Sequence, residues 1–541
     1  MLKRSKYLKH TVLVLCSIIF LSGCKESTKE EVTAKPKTVE PYIKKTDNAE
    51  YLVTEYGAKG DGVSLNTSVL QKLIDTVNSK GGGTLVFPKG DYLTGSLSMK
   101  SSVSLYLKEG AVLLGSTNPL HYENVEMHGR PDAPKKDDNS QMALLVAYKA
   151  HNFKIYGQGK IDGQGLKLAL AVDSLHHAGI KIDPKYNYRR MRTNETARPK
   201  LFRFSSCKNV ELLDLNLHNG SCWGLSFELC RNLRFDNLKI VNRAYWNNDG
   251  MDITDCKNVQ VTNCDVDAAD DGICLKSYYP ETFNDSIYIA NCTVRSSASA
   301  IKFGTASYGG FKNVTIENIE VFDTFRSAIA IESVDGGVIE NIKVSNIVAK
   351  NTGNAIFIRL GHRAGDKPGI VKNIHIKDMK VQIPFGRPDI DYDLRGPEVN
   401  FFHNPFPSSI VGIPDHNIEN VRIENVEITY PGRSSKGMAY VPLSRLNQVP
   451  EKIKDYPEFS MFGELPSWGF YVRHVNNITF KNVRLNLENT DYRPAYVLDD
   501  VKGISFENIK IPQTLHKQIV LKNTGSISSN PNMDNTIFKT Q

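Results

Sequence analysis

Apolar and polar residues alternate along most of this chain in one short, recurring frame. In Asn313-Val314-Thr315-Ile316-Glu317-Asn318-Ile319-Glu320-Val321 the apolar positions follow period two, break once at an Asn, and resume. The frame returns at Asn209 to Leu217, Asn258 to Val266, Asn420 to Ile428 and Asn477 to Leu485. Its corner Asn is read at Asn237, Asn263, Asn291, Asn318, Asn341, Asn425, Asn482 and Asn508, with Asp214 and Asp378 filling two further turns. Successive spacings from 214 to 341 are 23, 26, 28, 27 and 23 residues. Period two means strands, and a self-similar step in the twenties means stacked units rather than a closed globule. Asn suits such a corner because it tolerates a left-handed backbone, and stacked amides can bond from coil to coil. A leucine-rich repeat shares the period but needs a Leu-x-x-Leu-x-Leu frame and a helix per repeat, and neither is present. The pattern therefore predicts an all-β, right-handed parallel β-helix.

The ends of the chain break the pattern. Lys3, Arg4, Lys6 and Lys9 precede an apolar run from Val12 to Leu21, the form of a secretory signal. The run closes on Leu21-Ser22-Gly23-Cys24, which resembles the bacterial lipobox, so residues 1–23 are expected to be a lipoprotein signal and Cys24 the lipidated residue. Residues 24–48, rich in Thr, Lys and Glu, read as a tether, and the expected address is the bacterial cell envelope. The solenoid is expected over 49–515, with 516–541 as a tail. Asn66 or Thr67 should cap a short helix carrying Val69, Leu70, Leu73, Ile74 and Val77 on one face, closing the open first edge of the stack. The nearby Gly-rich segment, Gly57 to Gly62, lacks the Gly-Lys-Ser/Thr of a phosphate loop.

Formal net charge is +8, but the four cations of residues 1–23 leave +4, which permits an acidic substrate and suggests no nucleic-acid partner. Beyond Cys16 and Cys24, seven cysteines remain. Cys207, Cys230 and Cys256 share one frame position, and Cys264 and Cys292 another, which reads as columns of buried thiols. With no Cys-x-x-Cys pair and no His cluster, neither a structural metal nor a cofactor is expected. Two long interruptions, between Gly361 and Asn417 and between Gly432 and Trp468, carry Phe401, Phe402, His403, Phe406, Tyr456, Glu458, Met461 and Phe462. Insertions of that length on a solenoid build walls or sites. Arg189, Arg190, Arg192 and Arg198 form either a solvated basic loop or a clamp for carboxylates.

A second ladder marks one strand of each coil: Trp223-Gly224-Leu225, Asp249-Gly250-Met251, Asp271-Gly272-Ile273, Ser299-Ala300-Ile301, Ser327-Ala328-Ile329 and Asn354-Ala355-Ile356. Anchored on the small residue, Asp249 and Asp271 stack on consecutive coils about 5 Å apart, with Asp270 beside them. Such crowding suits a calcium site, turn aspartates, or acid/base chemistry, because like charges drive carboxylate pKa values apart.

The residues around this cluster, Asn247-Asn248-Asp249-Gly250-Met251-Asp252 and Asp270-Asp271-Gly272, resemble the Asn-Thr-Asp and Asp-Asp motifs of the polygalacturonases, glycoside hydrolase family 28. Tyr56 to Gly62, Gly157 to Gly165 and Tyr456 to His474 resemble it too, so the likeness extends from about 50 to 512. It implies inverting hydrolysis of α-galacturonosyl bonds in pectic polysaccharide or oligosaccharide, either polygalacturonan or rhamnogalacturonan, with Asp270 as general acid and Asp249 and Asp271 holding and deprotonating water. Two family motifs are altered. Ser299 falls where the family's Gly-His-Gly has its His, and Ala330-Ile331-Glu332 falls on its Arg-Ile-Lys. Lys302 and Arg359 are the expected replacements as substrate ligands, with Asn247 and Lys276 beside them. The walls around the cleft suggest exo action. A β-helix polysaccharide lyase and a non-catalytic glycan-binding β-helix are the alternatives; unsaturated products would mark the first, and the intact Asp set argues against the second.

Overall fold

The computed structural model describes residues 49–134, 140–389, 405–434, 443–512, 517–529 and 537–540. Cys24 with the segments around it, and Phe401, Phe402 and His403, lie outside the described residues. Each strand pairs in parallel with its equivalent one coil on: Leu225–Glu228 with Met251–Thr254, then Ile273–Ser277, then Ile301–Ser307. Parallel strands joined this way close in the right-handed sense, and the result is the expected right-handed parallel β-helix. One continuous apolar core runs through its axis from Val53 to Leu521.

Asn holds the corners. Asn237, Asn263, Asn291, Asn318, Asn425, Asn482 and Asn508 all adopt φ of 52–57°, the left-handed region, which Asn enters more readily than other side-chain-bearing residues. Their amides bond from coil to coil, Asn318 to Asn291 at 3.0 Å and Asn482 to Asn425 at 2.8 Å. Asn341 does not belong to that column. Ile319 pairs with Ile347, so Asn346 stands over Asn318, and its amide donates to Asn318 at 2.7 Å. Asn341 sits in a second ladder, Asn313–Asn341–Asn373–Asn420–Asn477. The frame carries Asn at both ends in this region, which is why a step of 23 was read where the coil takes 28.

Helix α1 (Thr67–Ser79) buries Leu70, Leu73, Ile74 and Val77 as expected. The Asn66 side chain does not cap the first turn; it ties Lys59, Ser64 and Leu93 together instead. A second helix, α2 (Gly165–His177), escaped the sequence reading. It buries Leu168, Ala169 and Val172 but exposes Leu166 and Leu170, so apolar residues on both faces mask its period. The stack also outruns its expected end at 515: Ile519–Lys522 pairs with the preceding coil and Ile537–Thr540 pairs with Ile519–Lys522. These strands are short and lack the Asn frame. The seven cysteines are buried and free. Cys230 Sγ accepts from the Cys207 amide and Cys256 Sγ from the Cys230 amide, a thiol column that Asn284 continues.

On one face of the helix, residues alternating with the core positions point outward in register. Near the C-terminal end this face carries Phe357, Val411, Tyr471, Val497 and Val520, and the second insertion packs Leu446, Val449, Phe459, Phe462 and Leu465 onto it. At the other end Val125 and Met127 cover Ala143, Val146 and Tyr148, held by Arg203 donating to the Val125 and Gln141 carbonyls at 2.8 Å. The coils of Asp249 to Lys302 lie between these two covered stretches.

Asn318→Ala should lower stability by about 2–3 kcal/mol, since it loses two ladder bonds and places a Cβ-bearing residue without compensation in the left-handed region. Asn318→Gly should cost distinctly less. Urea unfolding of the three proteins measures the difference.

Candidate active site

The small-residue ladder holds as expected. The amides of Gly224, Gly250, Gly272 and Ala300 donate to the carbonyls of Asp249, Asp271, Ser299 and Ser327, at 2.9–3.1 Å. A Cβ on Gly250 would lie 2.5 Å from both the Gly272 carbonyl and Val266, so this turn needs glycine, whereas the equivalent turn at Ala300 accommodates a methyl. Asp249 and Asp271 thus occupy equivalent places on neighbouring coils, and Asp270 stands on the same turn as Asp271.

Their surroundings differ. Lys276 bridges Asp249 at 3.2 Å and Asp252 at 3.1 Å. Burial and the Asp252 charge still push Asp249 well above the usual carboxylate value. Asp270 has no ion pair among the described residues. Burial and the adjoining Asp271 push it up to about 6. For Asp271, burial works upward too, but Lys302, Lys276 and Arg326 outweigh it and hold the carboxyl low. Lys302 is 3.2 Å from Asp271, and the Ser299 amide donates to Asp271 Oδ1 at 3.2 Å. Adjacent acids are thereby separated into one that keeps its proton and one that gives it up.

Asp249, Asp252 and Cys274 bring ligand atoms within 4.8 Å of one another. The Lys276 ammonium already meets both carboxylates there, supplying the positive charge that a metal would bring.

The structure brings in residues that the sequence reading left out. Arg326 lies 2.8 Å from Glu458, which arrives from the second insertion, and Tyr456 of the same segment accepts from Lys302 at 3.2 Å. Arg326 lies within the register shift between Thr324 and Ser327, so the ladder could not place it. Asp252 was in plain view, on the outward position after Met251. Trp223 is half-buried with Lys276 4.4 Å and Lys200 5.3 Å from its ring centre. Burial lowers Lys200 to about 8.

Arg359 is where the register put it, opposite Glu332, but it is no surface ligand. It is fully buried and donates to the carbonyls of Val411, Gly412, Glu451 and Lys452. That corrects the expectation of a substrate-binding role: this cation ties the second insertion to the coils. Lys276 and Lys302 are in the cleft, each already paired with a carboxylate. Asn247 takes a bond from Arg198 at 3.2 Å, and Arg198, itself buried, also donates to the Ser221 and Trp246 carbonyls. Of the arginine segment, Arg198 is therefore scaffold, Arg192 stacks 4.0 Å over Trp246, and Arg189 and Arg190 are exposed.

The chain matches the family model for glycosyl hydrolases family 28 over residues 85–387. It is 25% identical over 340 residues to a probable polygalacturonase of Vitis vinifera, covering 61% of this chain and 60% of that protein. It is 27% identical over 353 residues to an exo-poly-alpha-D-galacturonosidase of Dickeya chrysanthemi, covering 57% of each. The alignments thus span about three-fifths of these relatives' length. Among solved structures, a hyperthermoactive exopolygalacturonase from Thermotoga maritima superposes with a TM-score of 0.55 at 20% identity, over 72% of this chain and 88% of that one. The β-helix is common to both, and the matched span holds every carboxylate of the Asp249 to Asp271 cluster. With more than half of its length under that one model, the chain belongs to glycosyl hydrolases family 28.

Proposed function

We propose that this protein is an inverting glycoside hydrolase that removes α-galacturonosyl units from a chain end of pectic polysaccharide or oligosaccharide. The observation that carries the reading is the opposed shift of two successive residues, Asp270 up to about 6 and Asp271 held low. Asp270 then protonates the leaving glycosidic oxygen as the C1–O bond breaks. Asp271 takes a proton from the water that attacks C1 from the opposite face, and Asp249 orients that water. Inverting pairs leave room for it, with carboxyls about 6.5–9.5 Å apart. A lyase would need an uncharged base beside these carboxylates. Lys276 and Lys302 are poor bases: burial opposes their charge, but Asp252 and Asp249 around the first and Asp271 beside the second raise them well above the usual lysine value.

Asp270→Asn should lower kcat by about 10²–10⁴-fold with little change in Tm, and Asp271→Asn should do likewise. Proton NMR early in the reaction should show the inverted anomer; retention would rule out single displacement. The rate should fall toward acid as Asp271 gains a proton and toward alkali as Asp270 loses its own near pH 6. Lys302→Met removes the first of the cations that keep Asp271 low, so the acid limb should move to higher pH; Lys302 also lowers Asp270, so the alkaline limb should follow in the same direction by less.

Exo action is supported by the covered stretches on both sides of the acid coils, since an endo-acting cleft must pass chain at both ends. Early digests of a long chain should contain one short product. A ladder of intermediates with a fast fall in viscosity would show an open groove instead.

The lipobox-like Leu21 to Cys24 supports an envelope lipoprotein whose only membrane contact is the anchor. Metabolic labelling with a fatty acid should mark the protein, and Cys24→Ala should abolish both label and membrane retention.

A further inference from the structure

Lys302 and Glu332 point outward from successive coils next to the acid turn. Lys302 pairs in register with Ala330, two residues before Glu332 on its strand. Glu332 is 2% exposed, and its Oε2 has no hydrogen-bond partner among the described residues. Its register neighbour, Arg359, offers no help, because that guanidinium donates to four backbone carbonyls. The charged groups facing Glu332 are Lys302, Glu458, Asp271 and Arg326. Both cations are already committed, Lys302 to Asp271 at 3.2 Å and Arg326 to Glu458 at 2.8 Å. Lys302 and Arg326, with Lys276 one coil back, therefore serve Asp271, Glu458, Glu332 and the adjoining Asp270, and all three are already paired.

A uronate entering over this coil would find its carboxylate opposite acids whose counter-charges are spent. Desolvating it there without a partner is unfavourable. A hydroxyl meets different chemistry. Burial raises Glu332 to about 8, so at neutral pH the group is a carboxylic acid that can donate one hydrogen bond and accept others. Tyr456, bonded to Lys302 and 45% exposed, adds a phenol at the rim. Cationic capacity lies elsewhere, beside the Asn247 turn, where Arg192 stacks on Trp246 with its Nη1 unpartnered.

We propose that the subsite on this coil, floored by Lys302 and Glu332 and bordered by Tyr456 and Glu458, takes a sugar bearing hydroxyls only, and excludes a uronate. The proposal rests on the hydrolase reading above and narrows its substrate to a bond with a neutral sugar on one side. It makes Glu332 a specificity-determining residue standing where a basic side chain would admit a carboxylate.

The test uses three disaccharides: digalacturonate, galacturonosyl-galactose and galactosyl-galacturonate, all α-linked. Binding is measured by calorimetry and turnover by product analysis. Galacturonosyl-galactose should exceed digalacturonate at least tenfold in affinity and in kcat/KM. Glu332→Gln, which keeps the shape and hydrogen bonding without a titrating proton, should preserve that order. Glu332→Lys should move the preference at least tenfold toward digalacturonate; if it fails to fold, the wild-type and Gln comparison decides alone. Digalacturonate or galactosyl-galacturonate bound as tightly as galacturonosyl-galactose overturns the proposal. Absence of turnover with all three would sink the hydrolase reading, while the order of affinities would still judge this one.

Discussion

Stacking in register is the constraint on which the rest of this molecule depends. Each residue lies one strand spacing, about 4.8 Å, from its counterpart on the next coil. Apolar residues in equivalent positions make a continuous core, and Asn at equivalent corners makes a hydrogen-bonded ladder. Charges stacked in the same way would repel, so the cleft face must neutralise them across rows. It does so with Lys276 between Asp249 and Asp252, Lys302 against Asp271, and Arg326 against Glu458.

That pairing sets the chemistry. Asp270 and Asp271 are neighbours in the chain and both are desolvated, yet they shift in opposite directions. The difference is a cation at 3.2 Å from Asp271 and, among the described residues, none paired with Asp270. Burial alone would have raised both. The fold thus gives two identical side chains opposed proton affinities by where it places Lys302, Lys276 and Arg326.

The second insertion is part of the same system. Its apolar residues bury Phe357, Tyr471 and Val497, and Arg359 fastens its base by the Glu451 and Lys452 carbonyls. Once seated, it delivers Glu458 and Tyr456 to the cations of the cleft. A single segment therefore covers one stretch of the cleft face and brings a carboxylate and a phenol to its cations.

The solenoid was legible because its determinants are local and repeated: period-two alternation, an Asn that accepts left-handed φ, and small residues where turns close. The juxtaposition of Asp249 with Asp271 followed from the same regularity, as did the pairing of Glu332 with Arg359. Errors arose where the regularity was ambiguous or interrupted. Asn341 was taken for Asn346 because both ends of the frame carry the same residue, and α2 hid behind apolar residues on its solvent side. What Lys302, Arg326 and Arg359 do was decided only by tertiary structure. Each is a cation on or beside the cleft ladder, and their roles depend on partners brought from more than 90 residues away by insertions with no period to read: Glu451 and Lys452 for Arg359, Tyr456 for Lys302, Glu458 for Arg326. Local pattern determines which way a side chain points; whether its charge is free or spent depends on what folds over it.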